Sequence, residues 1–96
     1  MSRVILSPKA KSDLSDIWDY TCAEWGIDQA EKYVRELWAE MQLQACDSTT
    51  SVDVSDVRDG YRKVRSGSHL MFFKLMGDGI NVVRILHKRM DFERHI

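Results

Sequence analysis

The sequence holds one proline, two cysteines and no long apolar run. So little proline, with five glycines in 96 residues, excludes a collagen-like or fibrous chain and argues against disorder. No stretch approaches the ~18 apolar residues of a membrane span. The opening MSRVILSPKAK has neither an extended apolar region nor a small-residue cleavage site, so no signal peptide is read and a cytoplasmic location is expected. Cys22 and Cys46 can form at most one disulfide, and no CxxC pair or His/Cys cluster is present. Two free thiols are expected, with no metal and no cofactor. A nucleophile elbow, a phosphate-cradling glycine loop, internal repeats and low-complexity tracts are also absent.

What is present suits one small domain over residues 1–96. The content is 44% hydrophobic and 9% aromatic, and a chain of this length buries roughly 65% of its unfolded surface. The net charge of −1 conceals a split. Residues 1–57 carry five Lys/Arg against eleven Asp/Glu, a balance of −6, whereas residues 58–96 carry nine against four, a balance of +5. Such an asymmetry speaks of partners rather than of fold. The basic half offers a surface to nucleic acid or to an acidic protein.

The hydrophobic period changes along the chain. Residues 3–6 read as a short strand. Ser7 then supplies an N-cap oxygen and Pro8 suits the first helical position. Ala10, Leu14, Ile17, Trp18, Thr21 and Trp25 recur at helical spacing, with Asp13, Asp16 and Asp19 outside the stripe, and Gly26 stops the run. A second helix is expected to start at Asp28, with Glu31 closing a capping box, and to bury Ala30, Tyr33, Val34, Leu37, Trp38, Met41 and Ala45. The short break predicts an antiparallel hairpin of helices over 8–25 and 28–46. Residues 47–57, DSTTSVDVSDV, are polar and aperiodic and read as a loop that frays or orders on binding.

From Tyr61 the runs 61–65, 69–76 and 80–87 are rich in β-branched, aromatic and other large apolar residues. They are split by Ser66-Gly67-Ser68 and Gly77-Asp78-Gly79, which predicts an antiparallel meander with INVVRILH placed centrally. The tail, 88–96, is polar and basic, with room for one helical turn. The order is β-α-α-β-β-β, an α+β fold with a helical hairpin on one face of a small antiparallel sheet. The middle strand is apolar on both faces: Met71, Phe73 and Leu75 on one, Leu70, Phe72 and Met76 on the other. One face is expected under the helices, the other partly under a partner segment.

Three sets of side chains invite a chemical reading. His87 ends a strand beside Lys88 and Arg89, where cations favour a neutral imidazole; a general base and a strand-end histidine bonded to backbone are both open there. Ser68 next to His69 does not make a nucleophile–base pair by adjacency alone. Arg62, Lys63, Arg65, Lys74, Arg84, Lys88, Arg89 and Arg94 gather on the sheet and tail, with Tyr61 beside Lys63 and Arg65; such an array serves phosphate contacts or ordinary solubility. The aromatic stripes of the hairpin read as core, yet a shallow groove along them would fit a partner helix.

With these elements in place, the chain resembles the ParE toxins of bacterial ParDE toxin–antitoxin modules, within the RelE/ParE superfamily. Leu6-Ser7-Pro8 with Ala10 and Asp13-Leu14 is similar to the family's opening pattern. Ile17, Trp18, Tyr20, Trp25, Gly26 and Gln29-Ala30-Glu31 fit its two helices, and Gly60-Tyr61-Arg62-Lys63, Gly67-Ser68-His69 and Phe72-Phe73 fit its strands. The most specific match is the close, Val83-Arg84-Ile85-Leu86-His87-Lys88-Arg89-Met90-Asp91. Segment 47–57 departs from the family, having neither Asn-Pro nor a Gly-Arg-rich stretch.

The resemblance implies a toxin that traps DNA gyrase, through its A subunit, with cut DNA, and a ParD-like antitoxin that wraps around hairpin and sheet. It implies no catalytic residue. The gyrase-facing set would be Tyr61, Arg62, Lys63, Arg84, His87, Lys88, Arg89, Asp91 and Arg94. The antitoxin-facing set would be Leu14, Trp18, Trp25, Tyr33, Leu37, Trp38, Met41, Met71 and Phe73. Two alternatives stay open: a ribosome-dependent messenger ribonuclease like RelE, and an inactive relative that only binds antitoxin and co-represses. An Arg84–Asp91 ion pair stapling the tail to the sheet is a further possibility.

Overall fold

Ser7 fixes the start of the first helix in two ways. Its hydroxyl oxygen accepts from the Ala10 N–H at 3.0 Å, capping the helix, and its O–H donates to the Val83 carbonyl at 2.8 Å, tying that cap to the last strand. In the computed structural model, which describes residues 2–96, the elements are β1 (Arg3–Leu6), α1 (Pro8–Trp25), α2 (Ile27–Cys46), β2 (Val52–Asp53), β3 (Tyr61–Ser66), β4 (His69–Met76), β5 (Gly79–His87) and a 3-10 turn at Phe92–Arg94. Gly26, at φ +90°, joins the helices: its N–H bonds the Cys22 carbonyl and its own carbonyl starts the next helix at Ala30. The second helix therefore begins at Ile27, one residue before Asp28, and Gly26 caps it with backbone alone instead of through an Asp28–Glu31 box. Cys22 and Cys46 are free thiols.

The α+β class and the helical hairpin stand as expected, and the sheet is larger. It has five strands in the order β1-β5-β4-β3-β2. β1 runs parallel to β5, Arg3 opposite Gly79 through Leu6 opposite Val82, because the hairpin carries the chain across the sheet before it re-enters. The remaining pairs are antiparallel. β5 is interior, between β1 and β4. Gly79 permits that close approach, since a Cβ there would strike the Arg3 backbone.

Segment 47–57, expected as a loop that frays or orders on binding, is corrected to a segment ordered within the chain itself. Val52 and Asp53 pair with Lys63 and Arg62 on the sheet edge. Val54 is buried at 6% exposure, and Ser51 receives Arg62 through its hydroxyl at 2.6 Å and its carbonyl at 3.1 Å. Side-chain turns brace the segment: Asp47 accepts from the Thr49 N–H and Asp53 from the Ser55 N–H. The Thr49 N–H holds the Asp47 carboxyl below its ordinary range, and the Ser55 side chain, then its N–H, does the same for Asp53. Polar composition hid an ordered loop because its bonds are local and its one apolar anchor is Val54.

The sheet has a core on each face. Under the hairpin lie Ala10, Ile17, Leu37, Met41, Met71, Phe73, Ile80, Val82 and Ile85. On the other face Val54, Phe72 and Leu86 are buried, with Tyr61, Leu70, Val83, Phe92 and Ile96 against them. The tail thus covers the face expected to await a partner. Phe92 packs on Phe72 with ring centroids 5.1 Å apart.

Candidate functional site

The turn between β3 and β4 is built around Gly67. It lies at φ +59°, and a Cβ there would come within 2.6 Å of the Tyr33 ring, so only glycine allows α2 to lay that ring on the turn. The Tyr33 hydroxyl accepts from the Ser68 N–H at 2.9 Å and meets His69 Nδ1 at 2.6 Å, while the Ser66 carbonyl is 3.5 Å away. The phenol has one proton, which serves either His69 Nδ1 or the Ser66 carbonyl, and the His69 tautomer sets which. Burial and the neighbouring His87 lower the His69 pKa to about 4, so the ring is neutral at pH 7. Burial raises Tyr33 above its ordinary value and keeps it a phenol.

His87 lies directly opposite His69 across the two strands, edge to face at 5.4 Å. These rings, with Tyr20, Trp25 and Gln29 from the hairpin, line a cleft of about 560 Å³. Tyr20 and Trp25, which line it, stand 66% and 72% exposed, and Ile27, 61% exposed, follows the Gly26 break. Two exposed aromatic side chains, Tyr20 and Trp25, on the wall of a cleft have the make-up of an interface anchor. Asp16, Arg84 and Met90 border an adjoining cleft that shares Tyr20, His69 and His87. Among the described residues no cluster of three His, Cys, Asp or Glu is placed to hold a metal.

The nine residues expected to face an antitoxin divide sharply. Trp25 is exposed, and Leu14, Trp18, Tyr33 and Trp38 are half-buried. Leu37, Met41, Met71 and Phe73 are sealed in the core at 0–1% exposure and present nothing to a partner. Helical and strand periodicity marks a buried face without saying whether hairpin, sheet or partner buries it.

The basic set divides too. Lys88, Arg89, Asp91 and Arg94 are exposed, and Arg94 pairs with Asp91 at 3.4 Å. Lys88 and Arg89 form no ion pair among the described residues. The turn that carries them is fixed by the Lys88 N–H to the Ser68 carbonyl and the Met90 N–H to the His87 carbonyl. His87 Nδ1 accepts from the Arg89 N–H at 3.2 Å. Arg62 is occupied by Ser51, with Asp53 at 3.8 Å; Lys63 sits 5.0 Å over the Phe92 ring; Tyr61 is half-buried beneath Lys74 at 5.8 Å.

Arg84 is no free cation. Its Nε and Nη2 hold the two carboxylate oxygens of Asp13 at 2.8 and 2.9 Å, and the pair is 17% and 14% exposed. These bonds raise the Arg84 pKa further. An internal staple exists, but its acid is Asp13 on the first helix instead of Asp91. Asp13 belongs to the buried edge of the helix by its spacing from Ala10 and Ile17, a signal that its charge masks.

The family profile described as the ParE toxin of the type II toxin–antitoxin system parDE matches residues 4–92. Toxin ParE1 of Mycobacterium tuberculosis is 45% identical over 96 residues, covering 99% of this chain and 98% of the relative. Toxin ParE1 of Caulobacter vibrioides is 38% identical over 91 residues, covering 95% and 94%. Toxin ParE of Escherichia coli is 34% identical over 92 residues, covering 95% and 89%. A chain of the chromosomal ParDE system from P. aeruginosa shares the fold at a TM-score of 0.74 and 20% identity, covering 91% of this chain and 96% of that one.

Proposed function

This chain belongs to the ParE toxins of type II toxin–antitoxin systems, and we propose that it poisons DNA gyrase in the cytoplasm through its C-terminal basic surface. No helix among the described residues is long and apolar enough to cross a membrane. The observation that supports the surface is the exposed turn after the last strand, where Lys88 and Arg89 form no ion pair among the described residues and Arg94 follows. Gyrase holding cleaved DNA is strongly anionic, and long-range attraction to such a target speeds docking. The toxin acts by binding, not by catalysis: it holds the A subunit and its cut DNA in place and blocks replication. A ParD-like antitoxin covers the aromatic cleft of the hairpin, where Tyr20 and Trp25 stand exposed.

The double change Arg89→Ala with Arg94→Ala tests the surface. Gyrase, plasmid and toxin are mixed and linear plasmid is measured after protease treatment. The double variant should lose trapping and growth arrest, while thermal stability and binding of the cognate antitoxin persist. Undiminished trapping would move the toxic surface away from the tail, to the region of Tyr61, Arg62 and Lys63. A parallel translation reaction on ribosomes should show no cut messenger; cleavage there would replace gyrase with the ribonuclease reading.

A further inference from the structure

The last strand carries an irregularity at the point where Arg84 leaves it. Phe72 lies opposite Arg84, but its neighbour Phe73 lies opposite Val82, so Val83 falls outside the ladder. Bulges re-aim side chains. Here the first helix closes the bulge at two points: the Ser7 hydroxyl takes the Val83 carbonyl at 2.8 Å, and Asp13 Oδ2 takes the Ile85 N–H at 2.9 Å. Asp13 thus accepts three hydrogen bonds, two from Arg84 and one from the backbone beside it. With one edge of the guanidinium fixed, Arg84 Nη1 projects the other way and donates to the His95 carbonyl at 3.0 Å. The planar fork makes this directional: the Asp13 edge and the tail edge cannot turn independently.

We infer that Asp13 is a positioning residue for the C-terminal surface, holding Arg84 so that its free edge grips the tail at His95. The function of the latch rests on the toxic-surface reading above; its structural half does not. The other holds on the tail include the Phe92–Phe72 ring contact, Lys63 over Phe92, and the packing of Ile96 against the second core. A single 3-10 turn has little intrinsic stability, so its position depends on these few side-chain contacts. The latch joins a helix near the N-terminus to the chain's end, and orders the backbone that carries Arg94 at a defined place beside Lys88 and Arg89.

Removing Asp13 alone leaves a largely buried guanidinium without its counter-ion, which by itself can unfold the chain. The test is therefore the paired change Asp13→Asn with Arg84→Gln, which leaves no buried ion and keeps an amide for the Ile85 N–H. Amide hydrogen exchange at Phe92–Ile96 should quicken by about tenfold or more, the effect of losing one charge-assisted bond from an opening equilibrium. Gyrase trapping should weaken by a similar factor, while affinity for the cognate antitoxin at the hairpin stays within about twofold; a general loss of structure would lower both together. Adding Phe92→Ala to the pair should cost little further trapping, since both release the same segment.

If exchange at Phe92–Ile96 does not change, the latch is overturned, whatever gyrase does. If exchange quickens and trapping persists, the latch holds the tail but the toxic surface is not there, which sinks the toxic-surface reading and the latch's functional role together. Should the paired variant fail to fold, Arg84→Lys carries the same test. It keeps a charge beside Asp13, but one ammonium cannot span both Asp13 and His95.

Discussion

Phe72 and Phe73 are neighbours on one strand, both fully buried, and they point into different cores. Phe73 lies under two helices of 18 and 20 residues, joined by a tight break and anchored at Ser7. Phe72 lies under Phe92 and Ile96 of a tail that makes one short turn, with Val54 from the edge loop. Equal burial thus has unequal support. The helical cover is regular over its whole length and packs many core side chains, whereas the tail cover is one short turn with a few side chains. Elements of the second kind open at lower free energy than the global fold. The hairpin face is thus the more firmly covered, and the tail face ends beside the exposed Lys88 and Arg89.

Paired truncations would break or sharpen that contrast. Phe73→Ala should be the more damaging, about 4–5 kcal/mol, because the hairpin cannot collapse onto the space it leaves. Phe72→Ala should cost less, about 3 kcal/mol, since the tail can settle into the gap. Urea unfolding of both variants would compare them; equal losses would mean that the tail is as rigid a cover as the helices.

Acid should act on the helix-covered side. His69 titrates near 6.5 when unfolded and about 4 when folded, so between those values the unfolded chain binds the extra proton. Stability is full above pH 6.5, falls as the pH drops towards 4, and has nothing more to lose from this group below that. Thermal midpoints across this window should decline, and His69→Gln should flatten the decline. An unchanged slope in that variant would assign the proton uptake to another group.

The smallest effect belongs to Lys63. Removing its contact with Phe92 by Lys63→Gln should cost about 0.5 kcal/mol. It should show as faster exchange in the tail, with no change in the hairpin amides. Equal quickening of both would erase the distinction between the two covers.

Local chemistry is legible in the chain. Ser7-Pro8 starts a helix because an oxygen caps orphan amides and a proline needs no partner there, and Gly26 ends it because glycine tolerates a positive φ. The two glycine-bearing breaks after Tyr61 give three strands in the right order. The candidate surfaces were half legible: the exposed Lys88 and Arg89 stood out as charge, and Trp25 as an aromatic. Burial then removed Leu37, Met41, Met71 and Phe73 from any partner surface and took Arg84 from the free cations.

By itself, then, the sequence determined the helices, the meander, the charge split between its halves and, through the motif ending in His87-Lys88-Arg89-Met90-Asp91, the resemblance to a family. Each of these depends on residues a few positions apart, whose spacing fixes capping, period and turn. Only the tertiary structure decided that β1 joins β5 in parallel, that the tail closes the second face, and that Asp13 meets Arg84 across 71 positions. It alone brought Tyr33 to His69, 36 positions away. Such pairs form because a buried charge or hydroxyl must find a partner somewhere, and the backbone geometry that supplies it leaves no periodic trace in the chain.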